Sequence, residues 1–81
     1  MGISIYQRVV DFTASYLGIS PDAVSGTDSY SGLGIPQTDM PQYMLKLEDS
    51  FGLPYQTGDE DGIIIVDNAV VFIKKKMNPD A

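Results

Sequence analysis

The sequence predicts a small all-α domain, a bundle of three main helices with a short fourth helix and a long loop after the first helix. Apolar residues recur at helical spacing in three segments, and glycine, proline and other turn-forming residues are concentrated between them. The chain has no cysteine, so disulfides cannot replace a packed core. Its 81 residues correspond to one domain, and we expect residues 1–81 to form a single unit.

The first helix is predicted from about residue 3 to residue 17. At about 100° per residue the apolar side chains of this segment share one side. Gly18 follows at the position where glycine favours the end of a helix. The residues on this side are Ile5, Tyr6, Val9, Val10, Phe12, Thr13, Tyr16 and Leu17.

Residues 19–38 predict a long loop, with a short helical turn near residues 21–24. A loop of this length is uncommon in a small domain and is often functional. We expect the apolar residues within it to pin it to the core: Ile19, Val24, Tyr30, Leu33 and Ile35.

The second main helix is predicted to begin at Asp39, whose side chain would form a capping box with Gln42. Pro41 is tolerated in the first turn, where its missing N–H costs nothing. Gly52 is expected to end the helix. Leu45 projects away from the apolar face, which comprises Met40, Tyr43, Met44, Leu47 and Phe51.

The third main helix covers the C-terminal apolar segment. The four β-branched residues Ile63–Val66 would suit a strand, but no partner strand is visible, and we predict a helix through this region. Its lysines at 74–76 suit the negative end of a helix dipole, and a minor helix is expected within residues 53–62. The shared apolar face is Val66, Ala69, Val70, Ile73 and Met77.

Charge and composition exclude several classes of function. With 11 acidic and 5 basic residues the net charge is −6, which repels nucleic acid phosphates and anionic membranes. The same surface would attract a basic patch on a partner protein, or it serves only to keep the domain in solution. No apolar stretch approaches the roughly 20 residues of a membrane span. No basic segment followed by an apolar run begins the chain. We therefore expect a cytoplasmic monomer.

Catalysis would have to rely on carboxylates, because the chain has neither histidine nor cysteine. Asp59, Glu60 and Asp61 are consecutive, but such a run is typical of a solvated loop. Oxygen ligands there would bind calcium weakly, and the spacing does not fit an EF-hand. We expect no enzymatic activity, no catalytic residue and no metal site.

The layout and its residues resemble the acyl carrier protein family over nearly the whole chain. Leu17-Gly18, Leu33-Gly34 and Phe51-Gly52-Leu53-Pro54 match family positions, as do Tyr30 in the loop and the apolar residues of the last helix. The ungapped spacing from Leu33 to Pro54 carries the resemblance. It implies the helical fold of a carrier and docking on synthases or transferases through the second main helix.

The chain departs from the family where the phosphopantetheine arm is attached. The family motif places aspartate, serine and leucine one residue after leucine-glycine, and the serine hydroxyl receives the arm. Here Pro36, Gln37 and Thr38 occupy those positions. An amide cannot form the phosphodiester, so no cofactor is expected. Under the alternative interpretation, phosphopantetheine sits on a hydroxyl that does not align: Ser29, Ser31 or Thr38.

Two functions follow from these observations. The first is a module that docks on a basic patch of a synthase or transferase without an arm. The second is a working acyl or peptidyl carrier, in fatty-acid, polyketide or related biosynthesis, with an unusual attachment residue. A lipid bound non-covalently near Met40, Met44 and Phe51 is a further possibility. The residues expected to contact the partner are Gln37, Thr38, Asp39, Gln42, Leu45, Glu48 and Asp49.

Overall fold

The computed structural model describes residues 2–78, and within them the architecture is helical. The four α-helices are α1 (Ile5–Leu17), α2 (Tyr30–Leu33), α3 (Met40–Ser50) and α4 (Val66–Met77). Two 3₁₀ turns cover Pro21–Ala23 and Gln37–Asp39. None of the helices in this described range is both long and apolar enough to cross a membrane. The predicted fold class is confirmed, although the short helix is α2 and does not lie within residues 53–62.

Helix α1 begins and ends at local signals in the sequence. The Ser4 hydroxyl accepts a hydrogen bond from the Gln7 N–H at 3.0 Å, which satisfies one amide of the first turn. Gly18 has φ of 72° and donates to the carbonyls of Ala14 and Ser15. A left-handed residue after a helix suits glycine because it has no Cβ. The predicted end of this helix is therefore confirmed.

The start of α3 differs from the prediction. Asp39 lies in a helical backbone conformation inside the 3₁₀ turn, and its side chain makes no capping bond. A capping residue needs extended backbone, and here that conformation belongs to Pro36, which has no side-chain acceptor. The predicted capping box between Asp39 and Gln42 is therefore wrong. Pro41 does lie in the first turn.

The segment before α4 is extended, which corrects the predicted helix at residues 63–65, whereas Val66 is the first residue of α4. The Tyr30 N–H donates to the Ile64 carbonyl and the Val66 N–H donates to the Asp28 carbonyl, both at 3.0 Å. Ser29 and Ile65 form an isolated antiparallel bridge. The partner that the sequence did not reveal is thus the loop residue just before α2.

The core lies where α1 packs against α4 and both meet α3. The loop after α1 is held by Val24, Tyr30 and Ile35, which are buried, whereas Ile19 is 40% exposed and does not anchor it. The side chains with no more than 1% exposure are Val9, Thr13, Ala14, Tyr43, Met44, Leu47, Glu48, Val66, Ala69 and Ile73.

Candidate functional site

By the resemblance in the sequence, Gln37 aligns with the position at which the carrier family attaches its arm. Pro36 has extended backbone with ψ of 160°, and Gln37 then opens the 3₁₀ turn that leads directly into α3. The Gln37 side chain is exposed at the head of this helix. The position is therefore accessible to another protein, but it presents an amide, which is not a nucleophile for phosphoryl transfer.

The three alternative hydroxyls have different surroundings. Ser29 is half-buried, and its Oγ accepts a hydrogen bond from the Gly32 N–H at 3.0 Å, so it caps α2. Ser31 is exposed on α2, and Thr38 is exposed in the 3₁₀ turn before α3. Ser31 and Thr38 are therefore more accessible than Ser29, whose hydroxyl is already used to cap α2.

The exposed side of α3 and the 3₁₀ turn before it carry six of the seven residues expected to contact a partner. Six residues form what we call the docking face: Thr38, Gln42, Leu45 and Asp49, together with the neighbouring Gln37 and Asp39. The first four recur at helical spacing, and all six are exposed. Leu45 is 49% exposed at the centre of this row. A single exposed leucine is common on protein surfaces, so its place in this row, and not its exposure alone, is what agrees with the predicted contact.

Glu48 was expected on the same face, and the structure contradicts this. Its side chain is 0% exposed and points into the molecule, where Oε1 accepts a hydrogen bond from Lys76. The physical reason is its register, because Glu48 follows Met44 by four residues and Leu47 by one. It therefore shares the buried side of α3 and cannot contact a partner.

Lys76 connects three parts of the chain through one ammonium group. Besides Glu48 on α3, its Nζ donates to the Pro54 carbonyl at 2.6 Å and to Asp59 Oδ2 at 2.8 Å. An ammonium has three N–H donors, so all of them are used. Glu48 Oε2 is buried without a partner. The cluster therefore fixes the last turn of α4 but leaves one carboxylate oxygen unsatisfied.

Burial and hydrogen bonding oppose each other in this cluster. Burial raises the pKa of Glu48 above its ordinary value of 4.5, and the bond from Lys76 offsets this in part. At Asp59 burial also raises the pKa, but bonds from Lys76 and from the Gln56 N–H outweigh it, so the pKa lies below 3.8. Lys76 is a cation, so burial lowers its pKa. Its bonds to Asp59 and Glu48 more than reverse this effect, and the pKa of Lys76 lies above 10.5.

The acidic run in the loop after α3 is engaged in contacts within the chain. Asp59 bonds to Lys76, and Glu60 accepts a hydrogen bond from the Tyr55 hydroxyl. That bond is the first cause of the pKa of Tyr55 rising to about 12. Among residues 2–78 no three acidic side chains are grouped as they would be to hold a metal ion. These carboxylates stabilise the loop.

The middle of the bundle is crossed by a chain of hydroxyl groups. Thr13 Oγ1 donates to the Val9 carbonyl at 2.7 Å, so its oxygen accepts from the Tyr43 hydroxyl at 2.8 Å. The Tyr43 oxygen in turn accepts from the Tyr30 hydroxyl at 2.9 Å. Burial raises the pKa of both tyrosines. Two hydrogen-bonded rings therefore fill the space between the helices.

A small hollow lies beside Gln37, between α2, the head of α3 and the extended segment before α4. Its volume is about 60 Å³. Of the residues expected to surround a lipid, Met40 lines it, whereas Met44 is fully buried in the core and Phe51 lies elsewhere. The lining residues are Tyr30, Ser31, Ile35, Gln37, Met40, Ile63 and Ile64.

Sequence reasoning missed the Lys76 cluster and the hollow. Helical spacing contained a signal for the first, because Lys76 follows Ile73 by three residues and therefore shares its buried side. The hollow had no such signal. It is formed by segments about 30 residues apart whose contact depends on the bridge between Ser29 and Ile65.

Comparison with known proteins agrees with the resemblance in the sequence. No family model matches the chain. It is similar to the acyl carrier protein of Nitratidesulfovibrio vulgaris (strain DSM 19637 / Miyazaki F), with 25% identity over 75 residues. The alignment covers 91% of this chain and 99% of that protein. Similarity over nearly the full length, together with the all-helical architecture, supports a relationship with the acyl carrier protein family.

Proposed function

We propose that this chain is a non-enzymatic, acyl-carrier-protein-like module that docks on a partner protein without carrying a phosphopantetheine arm. The partner is of the synthase or transferase type and presents a basic patch with an apolar centre. The module works in the cytoplasm as a monomer. The observation that carries the proposal is the exposed Gln37 at the head of α3, where a carrier needs a hydroxyl.

The docking face supports the choice of partner. Leu45 offers an apolar contact at its centre, and Asp39 and Asp49 place negative charge toward its two ends. Lys46 is also exposed on α3, and Glu48 is withdrawn into the Lys76 cluster. The face is therefore only mildly acidic. Affinity should come from Leu45, and charge should mainly orient the encounter.

The tyrosine pair in the core supports a module without an acyl chain. Tyr30 and Tyr43 are 2% and 0% exposed, and their hydroxyl groups are hydrogen-bonded to each other. An acyl chain entering between the helices would have to displace these rings and break that bond. Leaving a buried hydroxyl without a partner costs about 1–3 kcal/mol.

A working carrier with an unusual attachment residue is the second candidate. The position of Ser31 is an observation in favour of this candidate. Its exposed hydroxyl lines the same hollow as Gln37, the residue aligned with the attachment serine, and so lies near it. Thr38 is adjacent in sequence and also exposed. Under this alternative the protein would take part in fatty-acid, polyketide or related biosynthesis.

Intact mass separates the two candidates. The protein is incubated with coenzyme A and a broad-specificity phosphopantetheinyl transferase, beside an ordinary carrier protein as the positive control. We expect no gain in mass. A variant that restores the family motif, Pro36→Asp with Gln37→Ser and Thr38→Leu, should gain one arm. A gain by the natural chain would overturn the proposal, and alanine variants of Ser31, Thr38 and Ser29 would then locate the arm.

The docking face is tested by Leu45→Arg. A buried positive charge at the centre of the contact should weaken partner binding by at least about 30-fold, measured by titration with a partner retained by the immobilised protein. The matched control is Val71→Arg, which changes an equally apolar residue on α4 that is 51% exposed. The control should bind normally. Equal loss in both variants would show that α3 is not the contact.

A further inference from the structure

The hollow beside Gln37 combines an apolar floor with an uncharged rim that carries two polar side chains. Tyr30, Ile35, Met40 and Ile63 form the floor, and each is at most 6% exposed. Ser31, Gln37 and Ile64 form the rim and are exposed. An opening of this kind, apolar inside and hydrogen-bonding at its edge, suits a ligand with an apolar tip and a polar base.

The volume restricts what can enter. A water molecule needs about 10–15 Å³ by a comparable measure, and pockets for drug-sized ligands begin at about 300 Å³. A cavity that holds benzene measures about 150 Å³, more than twice the 60 Å³ found here. This volume matches one branched aliphatic group, and it is too small to enclose a whole aromatic ring or a long acyl chain.

The chemistry of the rim narrows the choice further. No charged side chain lines the hollow, so a phosphate or a carboxylate would find no cation there. The Ser31 hydroxyl and the Gln37 amide supply both donors and acceptors, as a peptide backbone requires. Gln37 also belongs to the docking face, which makes the hollow continuous with the surface that the partner is proposed to cover.

We propose that the hollow receives one aliphatic side chain, of valine or leucine size, from the partner that docks on α3, while Ser31 and Gln37 bond to the partner's backbone beside it. This rests on the proposed function, since it assumes a protein partner on that face. A single anchor in a small pocket often dominates an interface. Here Gln37 contributes to partner recognition at the position where a carrier would hold its arm.

A series of alcohols tests the size limit without any partner. Isobutanol and then n-butanol, n-hexanol and n-octanol are titrated while amide and methyl NMR signals are followed. We expect saturable chemical-shift changes at Tyr30, Ile35, Met40 and Ile63. The affinity should stop rising once the alcohol has more than four carbons. If affinity instead continues to rise about fourfold per methylene, the hollow opens into a lipid site and the proposal is wrong. It is equally wrong if isobutanol does not bind.

A plugged hollow tests the partner's anchor. Ser31→Leu places a side chain at the mouth, and Ser15→Leu is the matched control on an exposed position of α1. The ligand is the purified partner that the immobilised natural chain retains. Ser31→Leu should weaken it about tenfold or more, and the control should not. If only Leu45→Arg weakens binding, the anchor is refuted and the docking role stands. If Leu45→Arg binds normally, the docking role itself fails.

Discussion

At the scale of single residues, Lys76 and Glu48 make the most consequential contact in the molecule. The Glu48 side chain is completely buried, while that of Lys76 is 21% exposed. Removing one partner of a buried ion pair leaves an uncompensated charge, which destabilises more than forming the pair ever gained. Because Glu48 is buried, the proposed docking face has one acid fewer than the sequence predicted.

The first prediction concerns Lys76→Met. The variant removes the ammonium and leaves the buried Glu48 carboxylate unpaired, and we expect the free energy of unfolding to fall by about 3 kcal/mol at neutral pH. Urea unfolding followed by circular dichroism measures it. The double variant with Glu48→Gln should recover much of the loss, because a neutral amide needs no counter-charge. A loss below about 0.5 kcal/mol would place Lys76 among ordinary surface residues.

The loss should depend on pH. Burial raises the pKa of Glu48 above 4.5, so as pH falls the folded protein binds this proton before the unfolded chain does. Protonation thus favours the folded state, and it does so more strongly without Lys76. The destabilisation by Lys76→Met should therefore shrink as pH falls from neutral toward 4.5. A loss that stayed constant over this range would mean that Glu48 remains ionised in the folded variant.

At the scale of elements, the sequence predicts helices well and their boundaries less well. In α1, α3 and α4 the apolar spacing is visible within each segment taken by itself, and the structure contains all three helices. Residues 63–65 are extended and pair, through Ile65, with Ser29, which is far away in the sequence. A local sequence pattern does not show such a pairing. Helix α2 has only four residues and lacks a readable period.

The start of α4 provides the second prediction. Asn68 Oδ1 accepts hydrogen bonds from the Ile64 and Ile65 N–H groups at 3.0 and 2.9 Å. Asn68→Ala leaves both donors unpaired, and we expect a loss of about 1 kcal/mol, or about 4–8 °C in Tm. Asn68→Asp retains the acceptor and suits the helix dipole, so its Tm should stay near that of the natural chain. An unchanged Tm in the alanine variant would show that water replaces the side chain.

At the scale of the whole molecule, part of the candidate site could be predicted and part could not. The exposure of Leu45 could be predicted because it projects away from the apolar face of its helix. The place of Gln37 was predicted from the ungapped resemblance to the carrier family. The hollow and the Lys76 cluster each join segments far apart in the chain, so they require the tertiary structure. The net charge of −6 is visible in the sequence, but which acids reach a partner is not.

The third prediction concerns how that charge acts on a partner. The association rate should fall by about tenfold between about 0.01 M and 0.15 M ionic strength, because the Debye length shortens from about 30 Å to about 8 Å. The dissociation rate should change little, since the contact proposed for Leu45 is apolar and salt does not screen it. Stopped-flow measurement with the purified partner gives both rates.

Two variants that lose the same amount of charge separate local from overall attraction. Asp39→Asn with Asp49→Asn neutralises the acids of the docking face, whereas Asp22→Asn with Asp61→Asn neutralises exposed acids elsewhere. The first pair should slow association severalfold more than the second, because nearby charges orient the encounter. If both pairs slow it equally, net charge alone attracts the partner, and the acids of α3 have no special part in docking.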